Sequence, residues 1–243
     1  MINTLNDFIR EYKKIVDMGW IRTHRAGPTG IGKTLEDLLG IVENNIDGPD
    51  FGEYELKSCR INSNSMLTMF TLSPLPRGAN TTLRVNYGYS SEFYDNYEKV
   101  LHATLSGDRF TRIADTGHSL KFTCKTDGIY IESENGVENI YWSRENLKKQ
   151  FEKKYKNKFV YAKADSRGNG VDEEFLFKEA WEVSGFNYDS FIKMLEDGKI
   201  YVDLRIGQYH GGSKDGKTHD HGTAFRIREY DQQFLFTINK KIV

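Results

Sequence analysis

Apolar residues recur at helical spacing over residues 4–18, where Leu5, Phe8, Ile9, Tyr12, Ile15 and Val16 form one stripe among charged positions. An amphipathic helix is expected there. A glycine-rich turn, GPTGIG, follows, and Leu35, Leu38, Leu39 and Val42 mark a second helix from about Thr34 to Val42. The period then shortens to two. Residues 52–59 (GEYELKSC) and 66–72 (MLTMFTL) read as strands, the second closed by the turn SPLPRG. From 77 to 140 the chain is rich in Tyr, Thr and Gly, with β-like alternations such as Leu120, Phe122 and Cys124. Helical spacing returns at 143–155, where Ser143 suits an N-cap and Leu147, Phe151 and Tyr155 lie four apart. The strand KFVYAKA comes next, then a loop at 165–174. Helices are expected near 174–183 and 188–197, a strand at 199–206, and a Gly- and Lys-rich loop at 207–218. Strands near 221–228 and 233–238 complete the pattern.

Taken in order, these elements predict a mixed α/β sheet flanked by helices, interrupted by a β-rich insertion at about 77–140. The loop DSRGNGVDEE is the expected boundary, dividing the chain into residues 1–165 and 166–243. A chain of 243 residues is long enough for one sizeable core with an appended lobe. No apolar run approaches the roughly 20 residues that span a bilayer, and two cysteines are too few for a disulfide framework. A protein of the reducing cytoplasm is expected. The formal net charge of −1 argues against a nonspecific nucleic-acid coat. It leaves room for an enzyme with positive charge only along a phosphate path. Basic residues do concentrate at Arg10–Lys33 and Arg144–Lys158, where the plain reading is two solvated faces.

Two motifs carry candidate chemistry. Gly27 to Thr34 (GPTGIGKT) satisfies the phosphate-loop pattern, with Lys33 for outer phosphates and Thr34 for a metal. A P-loop NTPase is therefore one reading. Its context is poor, because the preceding residues Arg22, His24 and Arg25 would be costly in a buried parallel strand. A turn feeding a helix N-terminus still leaves Lys33 able to meet a DNA phosphate.

The second motif is Asp50-x4-Glu55-x-Lys57. Phosphodiester hydrolysis uses a cation to polarise phosphate and acidify water, and Mg²⁺ takes one or two protein carboxylates. Strand alternation puts Glu55 and Lys57 on one face and Tyr54 and Leu56 on the other. Asp50 at the preceding turn can join Glu55, with Lys57 beside the metal. Glu36, early in the second helix, offers a further acid, and Glu53 is a rival ligand. A surface ion pair is the ordinary alternative.

The helix, turn, strand and strand around this motif follow the core plan of PD-(D/E)xK nucleases. GIGKTLEDLLGI, PDF-x3-E-L-K, PRGANT-x-LR and DLRIGQYH…GKTHDHGTAFRI resemble the MvaI/BcnI type II restriction endonucleases, on the MvaI side, and more distantly the mismatch-repair nicking enzyme MutH. The resemblance covers 20–90 and 199–228 and leaves 91–198 unaligned. It implies a nuclease core followed by a C-terminal recognition lobe, acting as a monomer on double-stranded DNA with Mg²⁺. The enzyme would nick one strand per binding event within a short near-palindrome, CC(A/T)GG for the MvaI type. Asp50, Glu55 and Lys57 fall on the catalytic triplet and Glu36 on the helix acid. Asp203, Arg205, His219, His221 and Arg226 fall on base-reading positions, with Arg77 and Lys33 as further DNA contacts. A cognate methyltransferase is expected in the cell, without binding to this chain.

The residue chemistry agrees with such a reader. Arginine can grip guanine bidentately, and Asp203 or Asp220 can accept from a cytosine amino group. His219 and His221, two apart, share a strand face; a zinc site or a structural pair are the alternatives. A DNA-binding module with a degenerate nuclease core is the non-enzyme rival, against which all three catalytic residue types are intact.

Overall fold

A computed structural model describes residues 2–41, 49–61, 66–90 and 99–243. Val42 of the expected second helix, and residues 91–98 of the expected insertion, lie outside the described residues. In chain order the helices are α1 (Leu5–Asp17), α2 (Gly30–Leu39), α3 (Ala79–Tyr87), α4 (Arg144–Lys154) and α5 (Tyr188–Glu196). The strands are β1 (Trp20–Arg22), β2 (Tyr54–Arg60), β3 (Leu67–Thr71), β4 (Tyr89–Ser90), β5 (Lys99–Leu105), β6 (Thr111–Arg112), β7 (Ser119–Cys124) and β8 (Gly128–Ser133). They continue with β9 (Gly136–Ser143), β10 (Lys158–Arg167), β11 (Glu174–Phe186), β12 (Ile200–Gln208), β13 (Thr218–Asp220), β14 (Ala224–Ile227) and β15 (Phe236–Lys241).

The chain forms two compact units, and neither is a continuous stretch. Unit 1 comprises Met1–Asn64, Tyr155–Phe186 and Phe236–Val243; unit 2 comprises Ser65–Lys154 and Asn187–Leu235. The boundary expected at 165 falls inside β10 instead. Its loop is only a short connection between two long strands that form one antiparallel ladder. The final strand, β15, pairs with β11 and so belongs to unit 1.

In unit 1 the sheet order is β1-β11-β10-β2, with β15 also on β11. β10 runs antiparallel to β11 and parallel to β2, which leaves β2 as an edge strand among the described pairings. Helix α1 opens with a capping box, in which the Thr4 side chain accepts from the Asp7 amide and Asp7 answers the Thr4 amide. Such a cap contributes about 1 kcal/mol. Phe8, Tyr12 and Ile15 of α1 and Leu35 and Leu39 of α2 pack into one core with Tyr54, Leu56, Val160, Phe175 and Phe177.

The expected helix at 174–183 is instead most of the strand β11. Glu, Lys and Ala favour helix there, but Phe175, Phe177, Ala180 and Val183 are buried and the ladder to β10 overrides local propensity. Helix α2 begins at Gly30, four residues before its expected start, because the glycine-rich turn supplies its first turn.

Among the described residues, unit 2 holds two antiparallel sheets. One has the order β3-β14-β12-β5-β4 with β13 added to β12, and the other runs β6-β7-β8-β9. The region expected to be only β-rich also contains α3. Trp142 is fully buried and donates its indole N–H to the Leu72 carbonyl at 2.8 Å. Phe225 stacks on Phe70 at 4.8 Å and meets Trp142 edge-on at 5.8 Å.

Candidate functional site

Sequence fixes the first cluster through a tight turn. Phe51 and Tyr54 exchange both backbone hydrogen bonds, at 3.2 and 2.8 Å, around Gly52 and Glu53. Gly52 adopts φ 51°, and a Cβ there would stand 2.7 Å from the Asn3 carbonyl oxygen, so glycine is required. Phe51 stacks on Phe8 and Tyr54, at 5.6 and 5.5 Å, anchoring the turn in the core. The turn brings Asp50 back against β2, where its Oδ2 accepts from the Leu56 amide at 2.7 Å. That bond satisfies one amide of an edge strand.

Burial along β2 follows the expected alternation, with Tyr54 and Leu56 inward, Glu55 half-buried and Lys57 exposed. Lys57 Nζ lies 2.6 Å from Glu55 Oε1. Desolvation first, and the Glu55 charge after the Leu56 amide is counted, push the Asp50 carboxyl up, while Lys57 and that amide pull it down. Asp50, Glu55 and Lys57 thus interact as one group. Two adjoining carboxylates against a single lysine leave an anionic excess in a partly desolvated site. This oxygen donor set fits a hard divalent cation, which needs only one or two protein carboxylates.

Other expected residues of unit 1 take different places. Glu53 pairs with Lys158 at 2.6 Å. Glu36 is half-buried on α2, four residues after Gly32, the residue that abuts Ser58 of β2. Lys33 forms an i,i+4 ion pair with Asp37 at 2.8 Å.

The phosphate-loop reading does not fit. Thr34 is fully buried, its hydroxyl donating to the Gly30 carbonyl at 2.8 Å and accepting from the His24 amide at 2.9 Å. A Cβ at Gly30 would collide with the Arg25 carbonyl. Arg60, bidentate on Glu173 at 2.6 and 2.9 Å, holds the Gly27 and Pro28 carbonyls. The preceding strand β1 is a three-residue antiparallel edge rather than a buried parallel strand.

The second cluster lies on one face of the larger sheet of unit 2. Arg205 pairs with His102 across β12–β5, Asp203 with Thr104, Gly207 with His219, and Tyr201 with Arg226. Cross-strand partners point the same way, so these side chains share a face. His219 and His221 do so as expected, with ring centroids 4.0 Å apart, and Tyr209 stacks on His219 at 4.1 Å. Among the described residues no group of three or more His, Cys, Asp or Glu has metal-binding spacing. Tyr209 and His219 stack while the His221 ring is tilted by 51° against His219, forming an aromatic array.

Asp203 is 4% exposed. Its Oδ1 accepts from Thr104 Oγ1 at 2.9 Å, and its Oδ2 from Arg205 Nε at 2.9 Å and Arg226 Nη1 at 2.8 Å. Asp220 accepts from Ser73 Oγ, Asn80 Nδ2 and the Gly222 amide at 3.1, 2.7 and 2.8 Å. It thereby shapes the turn that carries the two histidines. Asp203 is buried, whereas Asp220 is half-buried. Arg77 is exposed in the turn before α3, while Arg84 of the same motif is buried and donates to Thr218 and the Lys99 carbonyl, both at 3.2 Å.

The family model described as the MvaI/BcnI restriction endonuclease family matches residues 9–236. The chain belongs to that family. It is 37% identical to the restriction endonuclease MvaI solved in complex with cognate DNA substrate, at TM-score 0.80 and covering 100% of both chains. Against restriction endonuclease MvaI in the absence of DNA, the TM-score is 0.66 at 37% identity, covering 100% of this chain and 99% of that one. No curated protein matches it. As an MvaI/BcnI enzyme the chain is a type II site-specific deoxyribonuclease, with the mixed α/β fold of MvaI.

Within the MvaI/BcnI chain, sequence reasoning missed His102, Thr104 and Tyr209 on the second face. Desolvation, then Arg205 and His221, hold the His102 imidazole below its ordinary value, against an upward pull from Asp203. The signal was the alternation Leu101-His102-Ala103-Thr104-Leu105, an apolar strand with polar residues on one side. No described helix is long and apolar enough to cross a membrane.

Proposed function

We propose that this chain is a monomeric, Mg²⁺-dependent, cytoplasmic bacterial enzyme that hydrolyses phosphodiester bonds of double-stranded DNA. Its target is a short near-palindrome of the type CC(A/T)GG, cut one strand per binding event. A separate methyltransferase would protect the host's own sites. The observation that carries the chemistry is the grouping of Asp50, Glu55 and Lys57 with its anionic excess. The likeness to MvaI solved with cognate DNA supports the substrate, and the target is the one that the sequence resemblance implies.

Asp50 and Glu55 would hold the cation, and Glu36 adds an acid from α2. A divalent cation bound there supplies charge to polarise a phosphate oxygen and lowers the pKa of its water. The Leu56 amide keeps Asp50 turned toward Glu55. Lys57, restrained by Glu55, orients the attacking water and offsets charge on the pentavalent phosphorus. Arg205, Arg226, His219 and His221 supply donors and acceptors for base edges in the major groove. Arg77 and Lys33 are phosphate contacts, which position without reading sequence.

The test is digestion of a sequenced plasmid with Mg²⁺ or with EDTA, followed by mapping of the ends. Cleavage after the second C of CC(A/T)GG, only with Mg²⁺ and without nucleotide, is expected. Ends mapping to sites with G or C at the centre would replace the target. Cleavage in EDTA would remove the metal assignment.

A further inference from the structure

Asp203 falls on a position expected to read bases, yet its geometry suits a different task. Both carboxylate oxygens are covered by neighbouring side chains and occupied. One oxygen, Oδ2, receives two arginines, from β12 and β14, and Thr104 of β5 holds the other. We propose that Asp203 is a positioning residue that aims Arg205 and Arg226 together and so couples recognition at the two base positions they address. This rests on the reading of both arginines as base contacts.

Three observations support the assignment. Side-chain exposure is 5% for Asp203 but 55% for Arg205 and 23% for Arg226, so the carboxylate is a floor and the guanidiniums rise from it. Arg205 uses Nε for Asp203, leaving the Nη1–Nη2 edge, which can meet guanine O6 and N7 in parallel. Arg226 gives Nη1 to Asp203 while its buried Nε has no hydrogen-bond partner. Its orientation is therefore set by the carboxylate and not by satisfying its own donors. A guanidinium on a long flexible stem gains precision when such a partner fixes its plane. Because a single oxygen serves both arginines, moving it disturbs both.

The experiment compares Asp203→Asn, Thr104→Val, Arg205→Ala and Arg226→Ala in competition binding at fixed salt, well below melting. The competitors are CC(A/T)GG, every single-base variant of it, and random DNA. Each arginine variant is expected to lose about tenfold to a hundredfold discrimination at one base position. Asp203→Asn should lose it at both of those positions at once. Its binding to random DNA should stay equal or tighten, because a negative charge leaves a positive face. Thr104→Val, which frees the carboxylate without removing charge, should show a smaller loss at the same two positions. A merely structural role would weaken cognate and random DNA together, and that result overturns the proposal. Full discrimination in Asp203→Asn, or in Thr104→Val where the former does not fold, also overturns it while the arginines keep their role. Arginine variants that lose no discrimination would instead remove the base-reading assignment on which it stands.

Discussion

Two aspartates, one in the turn before an edge strand and one buried within a sheet, have opposite surroundings. Asp50 adjoins another carboxylate and a single lysine, and its burial raises its carboxyl. Asp203 adjoins two arginines and a threonine hydroxyl that together take up its oxygens. The first arrangement is short of positive charge and suits a cation. The second is complete in itself and turns positive charge outward. The residue type decides neither outcome; the neighbours do.

Predictions that test this contrast begin with the chemistry. Glu55→Ala and Lys57→Ala should each lower plasmid cleavage by several orders of magnitude while cognate binding, measured by gel shift in Ca²⁺, persists. Near wild-type cleavage by Glu55→Ala would erase the contrast, since the first cluster would then be a surface ion pair. A smaller effect is expected from His221→Ala, which should weaken cognate binding by about tenfold to a hundredfold with little change on random DNA. Equal loss on both would make the second face a phosphate contact.

Smaller still is Thr34→Val. It removes the buried hydroxyl that accepts from the His24 amide and donates to the Gly30 carbonyl, and should cost about 1 kcal/mol of stability in denaturant titration. Cleavage below the melting point should be unchanged, and Mg-ATP should show no heat in calorimetry. Tight ATP binding would restore the phosphate-loop reading.

The most delicate comparison makes the same substitution twice. Asp50 is raised in the folded protein, so its neutral form is favoured there; as pH rises through that folded value, the fold must carry a charge that the unfolded chain solvates freely. Asp50→Asn should therefore raise the melting temperature at pH 7 in EDTA. The gain should vanish as pH falls below the unfolded carboxylate value of about 3.9. Asp203→Asn should lower the melting temperature at pH 7, because two arginines lose their counter-charge. Shifts of the same sign would show that the two environments do not differ as described.

What the sequence made legible was mostly local. The stripe Leu5 to Val16 gave α1, the alternation Tyr54 to Lys57 gave the face of β2, and the spacing of His219 and His221 put them on one side. What stayed hidden depends on distant partners. β11 looks helical until β10 lies beside it, and β15 enters unit 1 only through pairing with β11. The occupation of Asp203 requires Thr104, 99 residues away in the chain. An aspartate in a motif shows that a carboxylate is present, but its available lone pairs are a property of the assembled sheet.

The parallel pairing of β2 with β10 also has a consequence in time. The strand carrying Glu55 and Lys57 has its described ladder partner at Lys158–Ala164, so its frame cannot close while the chain ends short of that segment. Contacts of such sequence separation form late and slowly. During translation, the earlier half of the protein is therefore synthesised without the strand that supports the proposed hydrolytic cluster. The order of synthesis itself thus delays the moment at which the frame of Glu55 and Lys57 can assemble.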